Sequence, residues 1–395
     1  MDATAIVRAL LAPEGRRDPY PLYAQLHRLG PVGALDPALG YDVVVAGYAA
    51  ADRVLRDTAF RMLDAEYLDR SGTRWRGHPS LKTLQDSIFF TNGADHSRVR
   101  RLFSQAFTAR RMAALEPAIV RLTDVLLDRL AAAGAGGRAV DFLAEFALPL
   151  PSDVIGELLG VPDEDRAWFP PRVRTFGAIL EAGRRSMREV LAADKAAVEL
   201  TGYFGGLLAA RRAEPRDDLV SALVGLQDQL TDTELLANLI TLFNAGFVTT
   251  THLLGNGLTL LLDNRDVDPA PFVEEVLRYE PPVHFGVRYA AADAELEGVP
   301  VGKGSTVLVL MGAANRDPAR FPDPDVFDPT RPDNQHLAFS AGPHYCLGAA
   351  LSRLEGQLAL PRLLERFPNL AVAGTPGERN QLMLRGFASL PIRVT

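Results

Sequence analysis

This sequence has no second cysteine. Cys346 is the only thiol in 395 residues, so no intrachain disulfide framework forms and a reducing compartment is natural. Long apolar runs are missing too. The start, Met1 to Arg8, has neither a basic lead nor a hydrophobic stretch behind it. No signal peptide, no membrane anchor and a cytoplasmic location are therefore expected. Nor is there an excess of positive charge. A net charge of −7 gives no general attraction for nucleic acid or for an anionic membrane. Repeats and low-complexity linkers do not occur, and glycine and proline are spread throughout. Length alone suggests two or three domains. No boundary stands out, however, and residues 1–395 are expected to form a single domain. Apolar residues are plentiful, at 47%, enough for a sizeable core.

The lone cysteine sits in Phe339-Ser340-Ala341-Gly342-Pro343-His344-Tyr345-Cys346-Leu347-Gly348. Gly342 and Gly348 flank it and let the backbone turn tightly against something large and flat. A helix-like run follows from Leu347 to Leu354. Most free cysteines behave as small buried hydrophobes. One that stands where a loop enters a helix has its thiolate favoured by the partial positive charge of the helix start. Such a thiolate serves as a nucleophile or as an axial metal ligand, and the loop alone leaves both open.

Other stretches set the frame. Asp18-Pro19 starts a helix that Gly30-Pro31 stops. Residues 42–47 read as a strand and 48–56 as a short helix. Residues 61–91 read as one long irregular loop, a length that usually signals function. On the helix that follows, His96 and Arg100 lie four apart on one face, and two cations there suit an anion. Residues 113–131 read as an amphipathic helix and 165–212 as two helices with a turn. Thr231 and Glu234 fit a capping box. The helix they open reaches about Asp263, on the order of 50 Å. Midway it carries Ala245-Gly246-Phe247-Val248-Thr249-Thr250-Thr251, which are poor helix formers. The Thr249 hydroxyl is expected to bond the Ala245 carbonyl and bend the helix. Glu275 and Arg278 are three apart on a helix face. Residues 305–310 read as a strand. A last helix from about Cys346 to Arg366 is expected to kink or break at Pro361.

The spacing F-x-x-G-x-H-x-C-x-G from Phe339 to Gly348 resembles the haem-binding loop of the cytochrome P-450 family. The likeness runs from about residue 18 to 392, with the motifs in the family's order. It departs at Ser340, where a second glycine is usual. It departs again at Val248, where an acid usually precedes the threonine at 249. The resemblance implies a mainly α fold with small β-sheets and haem b between the long central helix and the cysteine loop. It makes Cys346 the iron ligand. It places His96, Arg100, Arg288 and His344 at the haem propionates, and Phe339 and Gly348 against the cofactor. Ala245, Gly246 and Thr249 become the oxygen-activating segment. Glu275, Arg278 and Arg331 become a structural charge network that holds the cysteine loop. A substrate wall is implied at Arg74, Trp75, Phe89, Ala245, Val248, Val283, His284, Phe285 and Phe387. Arg98 and Arg101 are expected on a basic surface for an acidic electron donor.

The function so implied is that of a soluble bacterial haem-thiolate monooxygenase. Electrons would come from NAD(P)H through ferredoxin reductase and ferredoxin. The substrate would be a bulky, mostly apolar small molecule, hydroxylated or epoxidised. A polyketide or macrolide of antibiotic or other secondary metabolism fits, free or held on a carrier protein. One rival is oxidative coupling without oxygen insertion. A rival from another class is a haem-binding sensor without turnover.

Overall fold

The computed structural model describes residues 1–181, 185–226 and 228–394. Helices dominate and the strands are short. The chain falls into two compact units. One comprises Met1–Leu63, Asn256–Cys346 and Pro376–Ala388, and the other comprises Asp64–Gly255, Leu347–Thr375 and Ser389–Thr395. Among the described residues no helix is long and apolar enough to cross a membrane.

The first unit is built on a five-stranded sheet. Its order is Val32–Ala34, Val43–Val45, Thr306–Val309, Gly286–Ala290, Phe60–Arg61. Val43–Val45 and Thr306–Val309 pair in parallel, Val44 opposite Leu308. Both strands are buried at every residue. That explains their apolar, β-branched runs, since a strand covered on both faces has no use for alternation. Val45, Val54, Ala290, Val307 and Val309 form one core, and Leu337 and Ala341 join it. The loop that carries the cysteine is thus anchored on the sheet. The helix Pro269–Tyr279 begins with Asp268, whose side chain accepts from the Ala270 N–H, and with proline in its first turn.

The second unit is helical. It contains Gly93–Ala106, Glu116–Ala133, Pro149–Leu159, Phe169–Gly177, Met187–Ala213 and Ala349–Arg366. The long helix is Asp232–Leu261, 30 residues, and Asp232–Gly255 of it falls in this unit. Its capping box forms as expected. The Glu234 N–H donates to Thr231 Oγ1 at 3.2 Å and the Thr231 N–H to Glu234 Oε2 at 2.8 Å. Ala349–Arg366 runs through Pro361 without the break that was one of the two outcomes expected there. The turn expected within 165–212 falls partly on residues 182–184, outside those described.

The expected long loop is corrected. Residues 61–91 contain helices at Ala65–Arg70 and Pro79–Gln85 and a 3₁₀ turn at Trp75–Gly77. The last helix has no cap of its own from His78. Asp194, on the helix Met187–Ala213, supplies one. Its Oδ1 accepts from the Ser80 N–H at 3.0 Å and the Ser80 hydroxyl at 2.6 Å, and its Oδ2 lies 2.8 Å from His78 Nδ1. No local sequence pattern foretells this, because the cap comes from 114 residues away.

Candidate functional site

In the first unit the site is the cysteine loop. The Cys346 N–H donates to the Phe339 carbonyl at 2.9 Å and closes the loop. Phe339 is buried, and its ring meets Tyr345 edge-on at 6.3 Å. Gly342 has φ +65°, and a Cβ there would lie 2.6 Å from the Leu55 carbonyl oxygen. Only glycine fits that approach. Ser340 also takes a left-handed conformation, φ 61°, the geometry expected of the glycine it replaces. Its hydroxyl oxygen is buried with no hydrogen-bond partner. Cys346 itself is an exposed thiol, in no disulfide, three residues ahead of the helix Ala349–Arg366.

Behind the loop stands the charge network. Glu275 and Arg278 are fully buried and paired bidentately, Nε to Oε2 at 2.8 Å and Nη2 to Oε1 at 2.7 Å. Arg278 also donates to the carbonyls of Asn315, Pro324 and Val326. Arg331 completes the set, 3.7 Å from Glu275 Oε1. The Asp328 N–H and Asn334 Nδ2 donate to the same carboxylate. These bonds fix residues 315–334, the approach to the cysteine loop.

Arg288 lies on the sheet strand Gly286–Ala290, 4% exposed. Among the described residues no carboxylate pairs with it. Its guanidinium bonds only the neighbouring Val287 carbonyl, and burial pulls its pKa down to about 10. A buried cation without a counter-charge is costly, so this position suits an acidic group of a ligand. His344 is half-buried in the 3₁₀ turn Gly342–His344.

In the second unit the site is the middle of the long helix. From Ala237 to Leu258 every residue is buried except Ala245, Gly246, Val248 and Thr249. Those four share one helix face and form a single half-exposed window. Thr249 Oγ1 donates to the Ala245 carbonyl at 2.6 Å, as expected, and Thr251 bonds back to Phe247 at 2.9 Å. Gly246 lets the helix Pro149–Leu159 come close, since a Cβ there would be 3.2 Å from Ile155 Cδ1. His96 and Arg100 ride the helix Gly93–Ala106, His96 buried and Arg100 half-buried. They are not the two cations expected. Burial and the Arg100 charge pull the His96 pKa down to about 4, so its imidazole is neutral at pH 7.

The other expected positions divide. Ala245, Val248, Val283 and Phe387 keep half-exposed surface, and Arg74 and Phe89 are exposed. Trp75, His284 and Phe285 are buried. Trp75 donates its indole N–H to Asp69 at 2.8 Å, with Arg76 over its ring. His284 is fully buried, with Nδ1 3.0 Å from the Tyr23 hydroxyl, and a Cβ on Gly312 would be 2.6 Å from that nitrogen. Its pKa lies well below the usual histidine value because of burial. A ring so enclosed presents no surface to a ligand. Arg98 does not join an open basic surface, because it bonds Glu234 and the Gln229 carbonyl, while Arg101 is exposed.

Sequence reasoning passed over Glu355. It is 2% exposed on the helix Ala349–Arg366, and burial alone pushes its carboxyl well above the usual range. Ser-Arg-Leu-Glu reads as ordinary helix, and no signal marked it.

Comparisons with known proteins point one way. A family model described as Cytochrome P450 matches residues 271–391. The chain is 38% identical to "Cytochrome P450 monooxygenase PikC" of Streptomyces venezuelae, over 95% of this chain and 91% of that protein. It is 37% identical to "6-deoxyerythronolide B hydroxylase" of Saccharopolyspora erythraea, over 95% and 96%. A solved structure of P450BioI in complex with a hexadec-9Z-enoic acid-ligated acyl carrier protein superposes with a TM-score of 0.89 at 33% identity. The match covers 97% of this chain and 100% of that one.

Proposed function

The chain belongs to the cytochrome P450 family and is an oxidoreductase of the monooxygenase type, and we propose that it oxidises a bulky, mostly apolar secondary metabolite. One functional domain, 1–395, carries the activity. The cofactor is haem b with the Cys346 thiolate as its protein ligand, and, when bound, it supplies the activation of dioxygen. The single observation behind this reading is Cys346, an exposed lone thiol before a helix, in a loop closed by its own backbone bond.

Each residue then has a task. The Cys346 thiolate donates electron density to its metal. Arg100, Arg288 and His344 offer charge or hydrogen bonds to the propionates, with His96 as a neutral donor. Phe339 and Gly348 flank the cofactor. Ala245 and Gly246 leave room at the oxygen-binding segment. The hydroxyl hydrogen of Thr249 is committed to the Ala245 carbonyl, so its free lone pairs accept and hold a water or substrate hydroxyl. Val248, Val283 and Phe387, with Arg74 and Phe89, contact the substrate, while His284 is left out. Electrons arrive from NAD(P)H through ferredoxin reductase and ferredoxin. A macrolide or other polyketide fits the relative named for 6-deoxyerythronolide B. Delivery on a carrier protein fits the neighbour solved with one.

Val248, an aliphatic side chain where an acid is usual, does not separate hydroxylation from oxidative coupling without oxygen insertion, because either course draws the same two protons to cleave dioxygen. A non-catalytic sensor finds no support in relatives named for their activity.

The test is Cys346→Ala. The reduced carbon monoxide complex of the wild type should show the red-shifted thiolate-type band, and the variant should lose it. A band that survives in the variant removes Cys346 as ligand. Arg288→Ala should lower haem retention during purification.

A further inference from the structure

A line of touching rings leads away from the long helix inside the second unit. Phe243 stands two residues before the Ala245–Thr249 window. Its ring stacks on Phe169, with centroids 4.4 Å apart and planes 14° apart. Phe169 meets Trp168 edge-on at 5.1 Å and Tyr203 edge-on at 4.9 Å. Trp168 and Tyr203 stack on each other at 5.4 Å. Phe169 and Phe243 are wholly buried, whereas Trp168 and Tyr203 are half-buried and reach the surface. The two rings that are easiest to oxidise therefore lie at the outer end.

Tyr203 also has a place for its proton. Its hydroxyl donates to Asp165 Oδ2 at 2.6 Å. Burial and that carboxylate raise the phenol pKa well above its ordinary value, so the group is neutral at pH 7. A phenol that loses an electron becomes a strong acid, and a carboxylate already bonded to it takes the proton in the same step. Ring packing alone would be met by phenylalanine. Neighbouring charge sets where the oxidation ends. The Arg172 guanidinium lies over the Trp168 ring at 3.9 Å, and a cation there opposes a positive charge on the indole. Among the described residues no cation stands over the Tyr203 ring. Tyr20 donates to a carboxylate as well, that of Glu280, but Arg316 lies over its ring at 3.8 Å.

We propose that Tyr203 is a redox-active tyrosine, with Asp165 as its proton acceptor, that takes up the oxidising equivalents left at the Ala245–Thr249 window when no substrate consumes them. The proposal rests on the haem-thiolate reading above. One electron leaves Tyr203 by way of Trp168 and the Phe169–Phe243 stack. Its acceptor is the haem at an oxidation level above ferric, which is reduced by one electron. The phenol proton passes to Asp165, which leaves a neutral tyrosyl radical beside a neutral carboxyl. A low-molecular-weight thiol then returns one electron and one proton to the Tyr203 oxygen and becomes a thiyl radical, and Asp165 releases its proton to solvent. The damage thus ends at the surface and not in the porphyrin.

The experiment mixes the substrate-free holoenzyme with peracetic acid and freezes it for electron paramagnetic resonance. The wild type should give a tyrosyl radical, narrowed by ring-deuterated tyrosine and unmoved by ring-deuterated tryptophan. Tyr203→Phe, which keeps the ring, should lose that signal and bleach its haem faster. Asp165→Asn should form the radical at least about ten-fold more slowly, within the range of about 10²–10⁴ for positioned proton acceptors. A wild-type signal that persists in Tyr203→Phe overturns the proposal, as does a wild type without a tyrosyl radical. Formation at the wild-type rate in Asp165→Asn overturns the role of the carboxylate. A second measurement does not depend on the haem. Azide radicals from pulse radiolysis oxidise tryptophan directly, and the wild type should then show decay of a tryptophanyl radical matched by growth of a tyrosyl one. Tyr203→Phe and Trp168→Phe should each lose that phase, and its survival in Tyr203→Phe overturns the pair. If Tyr203→Phe retains less haem, this measurement decides. The carbon monoxide band of the wild type is read first, so a failure of the haem-thiolate reading is seen separately.

Discussion

Glu275 and Glu355 are buried alike, 0% and 2% exposed, yet their surroundings differ completely. Around Glu275 the chain gathers Arg278, Arg331, Asn334 and the Asp328 N–H. Around Glu355, among the described residues, Oε2 is left with no partner. Burial therefore does not say what an acid is for, whereas partners do. A carboxylate with a full set of donors fixes the loops it bonds. A carboxyl left without any weakens the fold.

The comparison breaks first at the paired end. Arg278→Ala leaves Glu275 as an uncompensated buried charge and frees three loop carbonyls. It should cost about 3–5 kcal/mol or more, read by guanidinium unfolding of the holoenzyme. A loss of less than about 1 kcal/mol, the level of an exposed pair, would mean that the buried network behaves like a surface one. At the unpaired end the sign should reverse. Glu355→Leu removes an unsatisfied polar group and should raise stability by about 1–3 kcal/mol.

The same acid has a pH signature. Its folded pKa lies above its unfolded one. Its contribution is thus complete below the unfolded pKa and is lost as pH rises through the folded value. Melting temperature should fall less steeply toward alkaline pH in Glu355→Gln than in wild type. Parallel curves would show that the Glu355 carboxyl has the same pKa in the folded and unfolded chain.

The smallest effect is expected at Ser340. Its φ of 61° strains any residue with a Cβ, and its hydroxyl lacks a partner. Ser340→Gly should stabilise by about 1 kcal/mol, read as a rise in melting temperature. A loss would show that the hydroxyl has a partner of its own.

What was legible in the sequence was local. The capping box at Thr231, the back-bond of Thr249 and the pairing of Glu275 with Arg278 each depend on residues three or four apart, and helical spacing displays such pairs directly. The cysteine loop was legible through its glycines, because Gly342 needs a conformation and a clearance that other residues cannot give. The illegible parts depend on distant chain. The supposed loop at 61–91 holds a helix because Asp194 caps it. His284 is no wall residue because Tyr23 and Gly312 enclose it. His96 is neutral because burial and Arg100 act together. Proline at 361 does not break its helix.

The cap at Asp194 makes the helix Pro79–Gln85 a tenant of another. Seven residues are too few to stay helical in water unaided. Its amides therefore stay protected only while Met187–Ala213 keeps that carboxylate in place. The two segments share one opening free energy, and slow exchange of the amides at 80–85 becomes a gauge of where the longer helix sits. A ligand that shifts Met187–Ala213 would be heard as quickened exchange at Ser80.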